Sequence, residues 1–212
     1  AYDGENLSRA GDVVVVSVNH RLNVLGYLDL SPFGEKYQDS ANAGNLDLIA
    51  ALEWIRDNIE GFGGDPENVT LFGQSGGGVK VWSLLQMPEA DGLFHKGIIE
   101  SGVVDPDLLG DIEDGNGREI VKAMLAELGL EEKDVDQLET LPYDQLAQAY
   151  ENAAPKVAQK GEYVGNHPHK NQSYFGDAIK HGFREETKKI PLLIGTAVSY
   201  THLRAHETAA NL

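Results

Sequence analysis

Residues 68–88, NVTLFGQSGGGVKVWSLLQMP, hold a single reactive candidate, Ser75, among glycines at 73, 76, 77 and 78. An apolar run, residues 69–72, precedes it, and a second apolar segment follows. The order Gly73-Gln74-Ser75-Gly76-Gly77 is the GxSxG pattern of a sharp strand-to-helix turn. In such a turn the serine takes a strained backbone conformation, and its neighbours must lack side chains to avoid collision. The turn lifts the hydroxyl above a sheet, where it can attack a carbonyl carbon. It also aims the N–H of the next residue, Gly76, at the oxyanion that forms in that attack. Ser75 is therefore the candidate nucleophile and Gly76 the candidate oxyanion donor. Gly73 and Gly77 are the structural glycines of the turn.

Other residues with chemical potential carry less. A phosphate loop competes for the same stretch, because Gly73 and Gly78 have the GxxxxG spacing and Lys80 is near. That motif requires lysine directly after the second glycine and Ser or Thr after the lysine. Here Val79 intervenes and Val81 follows, which argues against it. His167 and His169, in GNHPHKN, have a metal-ligand look, but no carboxylate pair accompanies them and a surface loop is expected. Residues 105–116, DPDLLGDIEDGN, imitate a calcium loop at their aspartates, Gly110 and Ile112. They fail at Leu109 and Asn116, where oxygen ligands are needed, and read as a solvated acidic loop. Asn6, Asn68 and Asn171 begin formal glycosylation sequons, meaningful only in a eukaryotic secretory pathway.

The elements that must position Ser75 follow from periodicity. Residues 12–18, DVVVVSV, form a β-branched run without polar alternation, the pattern of a strand buried on both faces of a mostly parallel sheet. Leu48, Leu52, Ile55 and Ile59 recur at helical spacing, and Gly61, Gly63, Gly64 and Pro66 stop that helix. With the strand at residues 69–72 this makes a βαβ unit. Residues 95–102, HKGIIESG, and 188–196, KKIPLLIGT, read as further buried strands. Between them, residues 111–150 turn acidic and helical, with Ile120, Met124, Leu125 and Leu128 as an apolar stripe, a covering helical layer. No internal repeat or low-complexity tract interrupts the pattern.

Composition excludes several classes of function. The chain has 212 residues, 41% of them hydrophobic, enough for one sizeable core. Its formal net charge of −17 would repel nucleic-acid phosphates and anionic membrane surfaces. It has no cysteine, so disulfides, thiolate metal sites and cysteine nucleophiles are all ruled out. No apolar run approaches the roughly 20 residues of a membrane span. The first residue is Ala1 rather than Met, and a missing natural start is expected, which leaves localisation unreadable.

The segments VVVVSVNHRLNVLGYLDL, GNLDLIAALEWIRDNIEGFGGDPENVTLFGQSGGG and LFHKGIIESG resemble, in order and spacing, the type-B carboxylesterase family that also holds the cholinesterases. The similarity runs from Tyr2 to Thr196 and is strongest from Val13 to Gly102. It implies an α/β-hydrolase fold with a mostly parallel central sheet flanked by helices, here incomplete at both ends. It further implies Ser75 as nucleophile, Gly76 as oxyanion N–H, and hydrolysis of small-molecule carboxylic esters without metal or organic cofactor. Gln74 stands where the family often has Glu, and Gly77 where it often has Ala. His20 and His95 fall in segments the resemblance makes structural, and they read as packing or surface histidines. The absence of cysteine tilts the resemblance toward a bacterial-type member. In a non-catalytic binding or adhesion homologue, the alternative this family offers, the serine is often replaced, and Ser75 is present.

The family places a glutamate shortly after the strand matched by IPLLIGT, and a histidine far beyond it. Where the glutamate is expected, about Tyr200, the chain reads AVSYTHLRAHETAANL without a carboxylate. The string VSYTHLRAHET reads as the in-frame translation of a transposase-type sequencing adapter. Residues 198–212 are therefore expected to be a non-native tail, and His202, His206 and Glu207 carry no triad role. Residues 1–197 are expected to form a partial α/β-hydrolase domain, with the triad acid and base and the upstream oxyanion loop outside it. A fragment so built is expected to be inactive.

Overall fold

A computed structural model describes residues 3–106, 115–165 and 167–196. Three parallel strands form its sheet in the order β1 (Thr70–Gln74), β2 (Lys96–Glu100) and β3 (Leu192–Gly195). The register aligns Gln74 with Glu100, and Glu100 with Gly195, so the three carboxyl-terminal strand ends lie side by side. Among the helices, α1 (Glu5–Gly11) and α2 (Asn23–Tyr27) come first, and α3 (Ala43–Asn58) feeds the sheet. Helix α4 (Gly76–Leu84) leaves β1 directly. Helices α5 (Arg118–Glu127) and α6 (Tyr143–Ala158) lie between β2 and β3, and α7 (Ala178–His181) precedes β3.

Of the βαβ unit predicted from periodicity, the helix and the second strand are present and the first strand is not. Leu48, Leu52, Ile55 and Ile59 are all buried, on α3 and the 3₁₀ turn that extends it, and Gly63 ends that turn with a positive φ of 82°. They join Val81 and Leu84 of α4, Leu85 just past its end and Ile99 of β2 in one core. A second core holds the acidic helical segment: Ile120, Val121, Met124 and Leu125 of α5 pack on Leu146, Ala149, Ala153 and Val157 of α6, and both reach Val24, Leu28 and Tyr37. Leu128 of the predicted stripe is only partly buried. Part of the acidic loop at residues 105–116 lies outside the described residues, as does the tail at 198–212.

Two strand expectations are corrected. Residues 12–18 form no strand, and Val13, Val14, Val16 and Val18 are each at least 40% exposed. An extended β-branched run becomes a strand only by pairing, and none of the three ladder strands takes it up, although β1 pairs on one edge alone. Likewise β3 was expected to be buried, yet Leu193 and Ile194 are exposed, because among the described residues no layer covers that end of the sheet. The histidine expectation also changes: His169 is buried, not on a surface loop. Its ring nitrogen Nε2 lies 2.9 Å from the Gly115 carbonyl, and its backbone N–H donates to Asn42 Oδ1 at 3.0 Å. His95 packs structurally, with Nδ1 accepting the Val69 N–H at 3.2 Å.

Candidate active site

Ser75 sits between β1 and α4 as the N-terminal cap of the helix, with φ 53° and ψ −119°. A positive φ at a residue bearing a Cβ costs on the order of 1 kcal/mol or more, and persists only where the surroundings impose it. They do so by hydrogen bonds on both sides. The Ser75 N–H donates to the Glu100 carbonyl at 2.8 Å, and the Ser75 carbonyl accepts from the Val79 N–H at 2.9 Å. The first bond extends the β1–β2 ladder one residue past β1, and the second opens the helix.

The glycines divide into those the geometry requires and those it does not. A Cβ on Gly73 would lie 2.4 Å from the Gly77 carbonyl carbon, so only glycine fits there. A Cβ on Gly78 would meet Gly102 Cα at 2.9 Å, which marks how closely α4 crosses the end of β2. By contrast, a Cβ on Gly77 or on Gly76 meets no atom within 4 Å. The expectation that Gly77 must lack a side chain is therefore corrected: its backbone is what excludes a side chain at Gly73. Gly76 is exposed and is the first residue of α4, so its N–H has no intrahelical acceptor. That N–H and the positive end of the helix dipole both face the entrance to the turn.

Sequence reasoning missed a second residue of the same kind. Ser101, one position past β2, has φ 52°, and its N–H donates to the Gly195 carbonyl at 2.7 Å. Ser75 and Ser101 thus occupy equivalent positions at the ends of adjacent strands, and nothing in ESG marks that strain in advance.

A cluster of titratable groups draws on α3, α4 and the segment before α2. Arg21 donates to Asp47 from Nε at 2.8 Å, from its second guanidinium nitrogen at 2.6 Å and from its backbone N–H at 2.9 Å. These bonds hold the Asp47 carboxyl below its ordinary range. His20 has its Nδ1 2.9 Å from the Arg21 carbonyl, and burial, aided by the charge of Lys80, lowers its pKa. Lys80, on α4, places its ammonium 5.1 Å from the centroid of the Tyr27 ring, and burial lowers its pKa as well. Tyr27 is fully buried, donates to Asn45 Oδ1 at 2.9 Å, and has its phenol pKa raised chiefly by burial. An open depression of about 490 Å³ lies here, lined by residues that include Asn19, His20, Arg21, Leu25 and Tyr143. Among the described residues no group of three or more His, Cys, Asp or Glu is arranged to hold a metal, and no helix is long and apolar enough to cross a membrane.

Comparison with known proteins adds four findings. A family profile described as "Carboxylesterase family" matches residues 1–211. Para-nitrobenzyl esterase of Bacillus subtilis (strain 168) is 40% identical over 205 residues, covering 92% of this chain and 39% of the relative. The solved structure of an esterase from the anaerobe Clostridium hathewayi, described as able to hydrolyse aliphatic aromatic polyesters, is 57% identical. It superposes with a TM-score of 0.88 over 92% of this chain and 38% of that one. A carboxylesterase of Geobacillus stearothermophilus is 32% identical, with a TM-score of 0.77 over all of this chain and 43% of its own. The chain therefore spans about two fifths of these relatives' length.

Proposed function

The chain belongs to the carboxylesterase family and has the α/β-hydrolase fold, and from that premise we propose that it is the nucleophile-bearing part of an esterase that cleaves carboxylic esters through an acyl-enzyme on Ser75. The observation that carries this reading is the backbone of Ser75: a positive φ at the exit of β1, directly before a helix whose first N–H has no intrahelical acceptor. In the reaction, Ser75 Oγ attacks the ester carbonyl carbon while a histidine takes its proton. The oxyanion accepts the Gly76 N–H. Collapse expels the alcohol, which recovers the proton from that histidine, and water then attacks the acyl-serine and releases the acid. The histidine and its orienting carboxylate belong to the longer protein, since the family order is Ser, then acid, then His. Each hydrogen bond to the oxyanion is worth about 10²–10³ in rate, so the donors missing from this chain matter as much as the base.

The test compares two proteins. The full-length enzyme hydrolyses a short-chain p-nitrophenyl ester, and Ser75→Ala abolishes it. The 212-residue chain shows no turnover above its own Ser75→Ala variant. Serine-independent turnover by the full-length enzyme overturns the nucleophile assignment, and serine-dependent turnover by the short chain overturns the division of the machinery. Aliphatic aromatic polyesters are the substrates to try next, given the described chemistry of the Clostridium hathewayi relative.

A further inference from the structure

Asn116 precedes Gly117, the one Asn-Gly pair in the 212 residues, and such a pair can react with itself. The nitrogen of the following residue attacks the asparagine side-chain carbon most readily where that residue is glycine, which has no Cβ in the way. Asn116 is exposed, and its Oδ1 accepts the Arg118 N–H at 3.0 Å. That bond folds the side chain back toward its own following backbone, as in an Asx turn. The electrophilic side chain is thus turned toward the chain that follows it, and the nucleophile is what is withheld. Gly117 is buried as the N-terminal cap residue of α5, and its N–H donates to Asp29 Oδ2 at 2.7 Å. Asp29 is itself only 2% exposed, and its other oxygen accepts the Ser31 N–H at 2.9 Å.

One contact accounts both for the presence of the reactive pair and for its protection. A Cβ on Gly117 would lie 1.8 Å from the Asp29 carbonyl oxygen, so the close approach of residues 29–33 to α5 demands glycine there. Arg118 holds the same approach, donating to the Pro32 carbonyl at 2.7 Å with its guanidinium 5.1 Å from the Phe33 ring centroid. We propose that Asn116 is a latent deamidation site, closed in the folded chain by Asp29 and opened when α5 separates from residues 29–33. In the reaction hydroxide takes the Gly117 N–H proton, the nitrogen bonds to Asn116 Cγ, and the Cγ–Nδ2 bond breaks. The departing nitrogen takes a proton from water and leaves as ammonia, which regenerates hydroxide. Water then opens the succinimide at either carbonyl, giving aspartate or isoaspartate. Asp29 opposes the first step twice: a buried, charge-assisted hydrogen bond must be given up, and the carboxylate's negative charge disfavours an amide anion beside it. Isoaspartate places an extra methylene in the backbone before Gly117, so the Gly117–Asp29 and Arg118–Pro32 contacts are no longer in register. The modification is thus an irreversible record that α5 has separated from residues 29–33, and it does not depend on the esterase reading.

The experiment uses the full-length protein, incubated at mildly alkaline pH, with peptide mapping by mass spectrometry to follow conversion of the amide at Asn116 to the acid. Wild type is compared folded and in urea, beside Asp29→Ala, Asp29→Asn and the unreactive Asn116→Ser. Conversion is expected to be at least about tenfold slower in the folded wild type than in urea, and on the order of tenfold faster in Asp29→Ala than in the folded wild type. Asp29→Asn offers one acceptor oxygen where the carboxylate has two, and its rate is expected to fall between those of wild type and Asp29→Ala. Hydrogen exchange along α3, which takes no part in these contacts, separates local release from general unfolding in each variant. Where Asp29→Ala loses that protection, Asp29→Asn decides. A folded wild type that converts as fast as in urea overturns the proposal, as does an unchanged rate in both Asp29 variants. A gain seen only together with lost protection along α3 also overturns it, because it assigns the effect to unfolding of the whole chain.

Discussion

Single side chains decide what the turn at Ser75 tolerates. Because a Cβ on Gly73 would enter the Gly77 carbonyl, Gly73→Ala must push β1 and α4 apart and displace Ser75, the proposed nucleophile. If Ser75 acts as proposed, a displacement of about 1 Å is expected to lower kcat/KM of the longer protein on the order of 10²-fold. Gly77→Ala meets open space on a helix, so activity is retained and stability rises by about 0.5–1 kcal/mol; ester-hydrolysis rates and urea melts of the two variants check both statements. The Arg21–Asp47 pair makes a pH prediction of the opposite kind from a histidine–acid switch. Arg21 lowers the folded-state pKa of Asp47 below its ordinary 3.8, so the unfolded state takes up the proton first. The contribution is complete above about pH 4 and is lost as pH falls through the folded-state value. With the Arg21 side chain 54% exposed and that of Asp47 26%, solvent screening limits it to about 0.5–1 kcal/mol. Urea melts at pH 6 and pH 3 are expected to show Asp47→Asn losing that amount at the higher pH and less at the lower.

Elements differ in how much of them the sequence reveals, and the reason is where their hydrogen bonds go. Helix α3 closes its bonds within itself, so the spacing of Leu48, Leu52 and Ile55 was sufficient to find it and its buried face. Strands β1 and β2 were found within two residues of their observed bounds, since each lies in a short apolar run ended by glycine. Residues 12–18 look more strand-like than either and form none, because a strand depends on a neighbour that its own letters do not specify. The site divides in the same way. Gly73 and Ser75 were legible because a tight turn writes its needs into adjacent residues. Ser101, the Gly78–Gly102 crossing, the buried seat of His169 and the setting of Lys80 arise from segments brought together across the fold, which no local spacing encodes. The exposure of residues 12–18 is testable at this scale. In the 212-residue chain, the double substitution Val14→Lys and Val16→Lys is expected to leave the melting temperature within about 1 °C and to raise solubility, since both side chains already face solvent. A fall of several degrees would mean that the run is buried after all.

At the scale of the whole molecule, part of the exposed apolar surface is concentrated on the sheet and on residues 12–18. Val13, Val14, Val16 and Val18 lie on one unpaired run, Phe72 on an edge strand, and Leu193 and Ile194 on β3, at the opposite edge of the sheet. Meanwhile the acidic helices have a closed core of their own, in which Ile120, Val121 and Met124 are fully buried. Part of the apolar deficit therefore falls on the sheet edges, in a chain that spans 39% of its Bacillus subtilis relative. Monomeric proteins rarely leave contiguous apolar surface above a few hundred Å², and an open β edge adds unpaired backbone donors and acceptors. A net charge of −17 opposes association at low salt, but screening shortens that repulsion to about 8 Å at physiological ionic strength. The 212-residue chain is thus expected to bind the dye ANS strongly and to elute above its 23.0 kDa mass, increasingly so as salt is raised. On the esterase reading, a longer protein whose further chain covers the sheet is expected to do neither. Dye binding and size-exclusion profiles of the two proteins at low and high salt check this. A short chain that stays monomeric and dye-silent would mean that the sheet's apolar residues find cover within these 212 residues, and that the longer relatives add their length elsewhere.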